Sequence, residues 1–220
     1  MIDGRIDAVG IVIPAHDEEE LLPECLAAIE QARIPIPTRL VVVLDACTDR
    51  SAEIAGVSGI SVTHRTVGRA RAAGVNAVLR HFAGVPRRRL WLAMTDADSR
   101  VPGHWLREQL RLARDFVAVA GTVAVDEWGA YPDARIESYE QFYANAEHVH
   151  GANLGIRADA YLAAGGFRPL ATSEDVALFT ALESGGWPVT RTRAIPVLTS
   201  SRLTARAPDG FASFLRDWAA

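Results

Sequence analysis

The segment that most constrains the fold of this chain is LWLAMTDADS, residues 90–99. It begins as a short apolar run, which is typical of a strand buried on both faces of a sheet. It ends in two carboxylates, Asp96 and Asp98, and such groups must stay where water, a cation or a ligand can reach them. Ligands of open parallel sheets bind outside the carboxyl ends of the strands. The segment therefore predicts a strand that ends at a binding edge, although a plain polar turn would show the same pattern.

Apolar runs and helical patterns alternate through the first half of the chain. Strands are predicted over 9–14, 40–44 and 60–63, and helices over 21–29, 68–82 and a short stretch ending at 55. Such repeats favour a parallel sheet with right-handed crossovers. The second half mixes strands (116–125, 154–157, 189 and 195–198) with helices (105–112, 132–148, 158–164 and 176–182, the last with Ser173 as its N-cap). We therefore expect an α/β fold with a mostly parallel sheet and a smaller mixed half.

Composition excludes several classes of function. The formal net charge of −4 gives no basic surface of the kind that binds nucleic acid. The two cysteines form neither a disulfide framework nor a metal site by their spacing, so a reducing cytoplasm is the expected location. No apolar stretch reaches the about 18 residues of a membrane span, and the N-terminus lacks the pattern of a signal peptide. Peripheral contact with a membrane surface stays open.

Five segments, taken in order, resemble family 2 of the inverting glycosyltransferases, nucleotide-sugar enzymes with the GT-A fold. They are residues 12–18 (VIPAHDE), 44–49 (LDACTD), 68–71 (GRAR), 96–98 (DAD), and the pair 151–153 (GAN) with 173–175 (SED). The resemblance implies a single GT-A-type domain over residues 1–220. Its nucleotide-sugar-binding half would cover about 9–98, its acceptor and catalytic half about 99–206, and a C-terminal tail 207–220.

The resemblance also implies a donor site at the ends of the first strands. Its residues would be Pro14, Ala15, Asp17, Glu18, Asp45, Arg71, Asp96, Ala97 and Asp98. Asp98 would contact a metal ion directly, and Asp96 the metal or the ribose. The oxygen ligands suit Mg²⁺ or Mn²⁺, which would stabilise the charge on a departing diphosphate. Arg71 would reach the diphosphate or the base, and Asp45 would accept from a uracil N–H, which favours a UDP-sugar donor.

The second half would supply the residues that act on the acceptor, an unidentified hydroxyl compound. By resemblance, Asp175 is the base that takes the proton from the attacking hydroxyl, and a carboxylate within hydrogen-bond reach can do this. Glu174 would orient the acceptor, and Asn153 would hydrogen-bond the sugar. Acids in the first turn of a helix also have a purely structural explanation, since the helix dipole favours them. Arg202 and Arg206 would close over the diphosphate or belong to the surface.

Two departures from the family pattern leave an alternative open. Leu44 stands where the family has an acid, and Cys47 stands where it has a serine. A catalytically degenerate protein that serves as a binding or scaffold module would explain both replacements. A sugar nucleotidyltransferase is a weaker alternative, because residues 17–20 are acidic where such an enzyme has a glycine-rich phosphate loop. The Gln-x-x-Arg-Trp motif of processive synthases is absent from the sequence, so non-processive transfer is expected.

Overall fold

The chain folds around one sheet in a computed structural model that describes residues 5–125, 128, 136–137, 141, 148–170 and 172–200. The strands are β1 (Ala8–Ala15), β2 (Thr38–Asp45), β3 (Gly59–Val62), β4 (Leu90–Met94), β5 (Ser99–Arg100), β6 (Ala118–Val125), β7 (Leu154–Arg157) and β8 (Val189–Thr199). The helices within these ranges are α1 (Leu22–Gln31), α2 (Ser51–Ala55), α3 (Val67–His81), α4 (Trp105–Leu112), α5 (Ala158–Ala163) and α6 (Glu174–Ser184). Short 3₁₀ turns lie at 56–58, 87–89 and 151–153.

The strand order of the sheet is β3-β2-β1-β4-β7-β6-β8-β5. The four strands at the β3 end, β3, β2, β1 and β4, are parallel to one another. In the other half, β7 runs antiparallel to both β4 and β6, β8 is parallel to β6, and β5 is antiparallel to β8. The prediction of an α/β fold with a parallel first half and a mixed second half is confirmed.

Helices cover both faces of the sheet, and alternate side chains of each strand point to opposite faces. In β1, Ile11 and Ile13 pack in the core that includes residues of α1, α2 and α4. Val12 packs in the other core, which includes residues of α3, α5 and α6. The central strands are buried on both sides, which explains why they are continuous apolar runs in the sequence.

Small residues let α3 lie close against the sheet. A Cβ atom on Gly74 would overlap the side chain of Val12, and one on Gly10 would overlap Val78. Small residues in a helix allow either close packing or the approach of a ligand to the backbone. For Gly74 the structure shows close packing. The contact between Gly74 and Val12 fixes the position of α3 along the strands. The start of the helix therefore lies at the edge where β1 and β2 end.

The second half differs in detail from the sequence-based expectations. The late strands predicted at 189 and 195–198 form one strand of 11 residues, β8, which pairs with β6 across an irregularity between Gly121 and Val123. The short strand β5 was not predicted. Ser173 lies at the N-cap position of α6, but its side chain makes no capping hydrogen bond.

The helix predicted over 132–148 lies largely outside the described residues, as do Arg202, Arg206 and the tail 207–220. Within the described ranges, no helix combines the length and apolar composition that a membrane crossing needs.

Candidate active site

The candidate site lies at one edge of the sheet, where the ends of neighbouring strands meet. Because β1, β2 and β4 are parallel neighbours, the loops that follow them share this edge. Because β7 is antiparallel to β4, with Met94 opposite Leu154, the beginning of β7 lies at the same edge. The turn 151–153, which precedes β7, is therefore brought beside the acids that follow β4. Sheet topology thus brings the predicted segments of both halves together.

The loops after β1 and β2 are fastened to each other by Asp17. Its Oδ1 atom accepts from the backbone N–H groups of Thr48 at 2.6 Å and Asp49 at 3.2 Å. The hydrogen bond from the Thr48 amide lowers the pKa of Asp17 below its ordinary value, against a smaller opposing effect of burial. Glu18 is buried, and its backbone N–H donates to Ser51 Oγ at 2.8 Å. These predicted donor-site residues therefore form the frame of the two loops.

Neither departure from the family pattern places an apolar side chain among the acids of the site. Leu44 is 5% exposed and packs in the core on the face opposite to that of Asp45. The Cys47 thiol donates to the carbonyl of Ala15 at 3.4 Å and accepts from the Asp17 N–H at 3.5 Å. A serine hydroxyl has the same donor and acceptor capacity. Burial raises the pKa of the Cys47 thiol, so it stays protonated.

Asp45 is a buried carboxylate that holds the start of α3. Its Oδ1 accepts from the N–H of Arg65 at 2.9 Å, and its Oδ2 accepts from the N–H of Thr66 at 3.2 Å. The side chain follows β2 in sequence, as predicted, but its oxygens are engaged by backbone 20 residues further on. Contact between Asp45 and a base stays a prediction. Pro14 and Ala15 are the last residues of β1, directly before the loop.

Strained backbone is concentrated at this edge. Among the described residues, four that are not glycine have a left-handed φ, and all lie in these loops or at the start of α6. They are Asp17 (52°), Ala46 (55°), Arg65 (52°) and Ser173 (60°). Residues held in such conformations cost about 1–3 kcal/mol each and cluster at ligand-binding sites. The loop frame is therefore held in a defined shape by its surroundings.

Arg71 of α3 lies at the centre of the site and pairs with acids from both halves of the chain. Its side chain is 4% exposed. Its Nη2 donates to Asp96 Oδ1 at 2.5 Å, and its Nη1 donates to Glu174 Oε1. Burial by itself would lower the pKa of Arg71, but the charges of Asp96 and Glu174 raise it above its ordinary value. The guanidinium therefore stays charged and joins the turn after β4 to the start of α6.

Glu174 and Asp175 occupy the first turn of α6 in different environments. Glu174 is 2% exposed, and burial raises its pKa, an effect that the charge of Asp175 strengthens and that of Arg71 opposes. Asp175 is only partly buried. Its Oδ2 accepts from the Gly151 N–H at 2.5 Å, and its Oδ1 accepts from the Val176 N–H at 2.8 Å. Asp175 is thus oriented by backbone amides while its carboxylate still reaches solvent.

Asp98 is oriented by hydroxyl groups at the junction of β5 and β8. Its Oδ1 accepts from Ser99 Oγ at 3.2 Å and from Thr199 Oγ1 at 3.4 Å, and these two hydroxyls are 3.1 Å apart. Asp96, two residues earlier, keeps a side chain that is 34% exposed. Ala97 between them is buried in the core. Sequence analysis did not find Thr199, since nothing near it in the chain marks it as a partner of Asp98.

Asn153 is placed beside these acids in the fold but is fully buried. Its Nδ2 donates to the carbonyls of Thr122 at 2.8 Å and Ile195 at 2.7 Å, and its Oδ1 accepts from Trp105 Nε1 at 2.9 Å. A Cβ on Gly121 would overlap this amide. The side chain therefore anchors the 151–153 turn to β6, β8 and α4, and its contact with a sugar stays a prediction.

His150, which precedes the turn, is a residue near the site that sequence analysis did not assign. Burial lowers its pKa to about 4, against the opposing charge of Asp175. The imidazole is therefore neutral near pH 7. Its ring lies 6.1 Å from that of His148. A lone histidine before a glycine turn carries no pattern that distinguishes a site residue from a core residue, so the sequence offered no signal for it.

The charge balance of the site favours a cation. Asp96, Glu174 and Asp175 all act on the guanidinium of Arg71, and Asp98 lies two residues after Asp96. The carboxyl and hydroxyl oxygens beside β5 are the hard ligands that Mg²⁺ and Mn²⁺ prefer. These residues therefore fit a divalent ion. Elsewhere among the described residues, the ligand atoms of Asp17, Cys47 and Asp49 all lie within 4.8 Å of one another. There the thiol is protonated and Asp17 already accepts two amide hydrogen bonds.

Comparison with known proteins gives the chain a family and a fold. A family model described as glycosyl transferase family 2 matches residues 10–168. TarS 1–349 from S. aureus, in complex with UDP-GlcNAc, has a TM-score of 0.67 and 12% identity, with 93% of this chain and 61% of that chain covered. Mannosyltransferase PcManGT from Pyrobaculum calidifontis, in complex with GDP-Man and Mn²⁺, has a TM-score of 0.66 and 19% identity, with 97% and 61% covered. The chain thus spans less than two thirds of either structure. No curated protein matches it.

Proposed function

The chain belongs to glycosyl transferase family 2, and we propose on that premise that it transfers a sugar from a nucleotide-sugar to an acceptor hydroxyl with inversion. The observation that supports this most is the meeting of four carboxylates from two halves of the chain. Asp96 and Asp98 follow β4, and Glu174 and Asp175 begin α6, with Arg71 between the two pairs. This arrangement supports the proposal that a cation-binding pair and an accessible base lie at one edge of the sheet.

Asp175 acts as the base in a direct displacement. The acceptor oxygen attacks the anomeric carbon, the bond from that carbon to the diphosphate oxygen breaks, and the hydroxyl proton passes to Asp175. The nucleoside diphosphate leaves with the bonding electrons. Amide donors at both oxygens of Asp175 fix its direction, and each carboxylate oxygen keeps a further lone pair for the hydroxyl.

Asp98 and Asp96 would hold a divalent cation together with the donor. Mg²⁺ or Mn²⁺ would supply positive charge to the diphosphate as it departs. Asp98 is turned towards β5 by Ser99 and Thr199, while Asp96 is held through Oδ1 by Arg71. Mg²⁺ is usually held by one or two carboxylates and by substrate phosphates, so a pair of acids is sufficient on the protein side.

The donor and the acceptor would bind to different halves of the chain. Residues from about 9 to 98 form the donor half, and residues from about 99 to 206 form the acceptor half. The enzyme transfers one sugar, or a few, at a time. The expectation of uridine depended on Asp45 and Arg71. The carboxylate oxygens of Asp45 and the terminal nitrogens of Arg71 are engaged by protein groups here. Of the two structural relatives, TarS is in complex with UDP-GlcNAc and PcManGT with GDP-Man. The base is therefore a question for binding measurements.

Thermal denaturation with UDP, GDP and CDP, each with and without Mn²⁺, tests the donor site. A ligand present at about 100 times its Kd adds about 2.7 kcal/mol, which raises Tm by a few degrees. We expect one nucleotide to raise Tm in a manganese-dependent way, and its sugar conjugates then to be hydrolysed or transferred. A protein that responds to none of them would be a binding or scaffold module. Release of pyrophosphate from a nucleoside triphosphate and a sugar phosphate would indicate a nucleotidyltransferase.

A further inference from the structure

We propose that Arg71 is a positioning residue that holds the base Asp175 in place, and that it is not a ligand of the donor diphosphate. The inference rests on the function proposed above and assigns a role to a residue whose sequence context suggests a phosphate contact. It depends on the burial of the guanidinium, on its two carboxylate partners and on a glycine that lies against it.

The first step is that the surroundings of the Arg71 guanidinium disfavour contact with a diphosphate. The Arg71 side chain is 4% exposed, and both terminal nitrogens already donate to carboxylates. Its Nε is buried and has no hydrogen-bond partner among the described residues. A phosphate oxygen would have to displace Asp96 or Glu174 from a charged pair. Such an exchange is costly because it leaves an unpaired carboxylate inside the protein.

The second step is that Arg71 reaches Asp175 along two short paths. Glu174, its partner in the buried ion pair, is the residue before Asp175 in the first turn of α6. Gly151 is the other path, since a Cβ on Gly151 would overlap the guanidinium carbon and both terminal nitrogens of Arg71. The N–H of the same glycine donates to Asp175 Oδ2 at 2.5 Å. The guanidinium therefore packs flat against the peptide that aims the base.

The third step concerns the packing around this contact. Gly68, one turn before Arg71 on α3, also lies against α6, because a Cβ there would come within 2.9 Å of both Glu174 Cγ and the Arg168 carbonyl oxygen. Two glycines thus let α3, α6 and the 151–153 turn approach closely around one side chain. The arrangement fixes distances between the halves of the chain, and a base depends on such distances because a misplacement of about 1 Å can cost about 100-fold in rate.

Three variants test the inference, each with a matched control. Arg71→Met removes the charge, Arg71→Lys keeps a charge without the planar fork, and Gly151→Ala keeps every charge but pushes against the guanidinium. Arg80→Met, an exposed arginine on the same helix, is the control for Arg71. Gly84→Ala, where an added Cβ meets nothing within 4 Å, is the control for Gly151. Circular dichroism and thermal denaturation establish which variants fold.

We expect Arg71→Met and Gly151→Ala to lower kcat by at least about 100-fold, the scale of a misplaced group near the reacting atoms. Nucleotide Kd, measured with Mn²⁺, should stay within about threefold of the wild-type value, which is under 1 kcal/mol. Arg71→Lys should recover part of kcat. If Arg71→Met does not fold, Arg71→Lys and Gly151→Ala still distinguish a positioning role from a donor-binding role, because both keep the positive charge in the site.

The opposite result is a parallel loss of nucleotide affinity and transfer in the Arg71 variants, with Gly151→Ala unaffected. That pattern would mean that Arg71 binds the donor, and it would overturn this inference while the proposed function stands. A wild-type protein that binds no nucleotide and transfers no sugar would overturn the proposed function itself. The two failures are therefore distinguishable in one set of measurements.

Discussion

The acids of the two halves of this chain are held in contrasting ways. In the donor half, Asp17 and Asp45 accept hydrogen bonds from backbone amides of the neighbouring loop or helix start. In the other half, Glu174 pairs with an arginine side chain 103 residues away, and Asp175 receives an amide from a distant turn. Acids of the first kind shape the loops locally. Glu174 joins the two halves through Arg71, whereas Asp175 is held within its own half. A strand-end or helix-start position alone therefore does not determine an acid's role.

The largest effect that this comparison predicts is on transfer by Asp175→Asn. An amide keeps the size of the side chain and can still accept from Gly151, but it cannot take a proton. We expect kcat to fall by about 10²–10⁴-fold, the usual contribution of a general base. Nucleotide Kd, measured with Mn²⁺ by calorimetry, should not change, because the donor is held by the other half.

Glu183→Gln, at the far end of the same helix, is the control for Asp175→Asn. Its carboxylate pairs with Arg191 on the protein surface, well away from the proposed chemistry. It should transfer sugar at the wild-type rate. Turnover retained by Asp175→Asn would remove the assignment of the base and with it the contrast between the halves.

The second effect concerns the cation. Asp98→Asn should weaken Mn²⁺-dependent nucleotide binding by at least about tenfold, the scale at which even indirect metal contacts act. Treatment with EDTA should abolish transfer, and added Mn²⁺ should restore it in the wild-type protein but not fully in this variant. Thermal shift with nucleotide across a Mn²⁺ series measures the change. An Asp49→Asn variant with the larger loss would move the cation to the Asp17, Cys47 and Asp49 group.

A third effect separates a structural from a ligand-binding role for Asn153. Asn153→Ala leaves the Trp105 N–H and two carbonyls without their amide partner inside the protein. Each such loss costs about 1–3 kcal/mol, so we expect the free energy of unfolding to fall by at least about 2 kcal/mol in urea. The control is Asn76→Ala, an exposed amide on α3. Unchanged stability with a raised KM for the donor would instead support the sugar contact that the sequence implied.

Local patterns predicted most of the fold because the strands of the donor half are buried on both faces. Runs such as 40–44 and 90–94 have no polar interruption, and the acids that follow them lie at one edge simply because the strands are parallel. The late strand β8 alternates buried and exposed residues over part of its length and carries two arginines, so its continuity was not visible in the sequence.

Partners were harder to predict than residue types. The motif around Arg71 indicates a functional arginine, but its burial depends on Glu174 and on Gly151, which belong to other segments. The hydroxyl of Thr199 and the neutral ring of His150 have no local signature at all. A sequence states which chemical groups are available near a strand end, whereas their hydrogen-bond partners follow from packing between distant segments.

The smallest effect concerns Asp17, whose carboxylate fastens the loops after β1 and β2 to each other. Because the Thr48 amide lowers the pKa of this carboxyl, its charge stabilises the folded protein at pH values above its unfolded pKa of about 3.9. That stabilisation is lost as the pH falls through the lower pKa of the folded state. Asp17→Asn keeps an oxygen that accepts hydrogen bonds but removes the charge. The variant should therefore be less stable than the wild-type protein at pH 7, and the difference should shrink as the pH falls below about 4.

Urea unfolding of both proteins at several pH values between neutral and acidic measures this difference. Asp115→Asn, which replaces an exposed carboxylate, is the control for a general effect of charge. A stability difference for Asp17→Asn that does not change with pH would mean that its charge plays no part in fastening the loops. Transfer lost at pH 7 without any change in stability would instead place Asp17 among the residues that touch the donor. In that case acids of both halves would contact the reacting molecules, and the contrast between the halves would not hold.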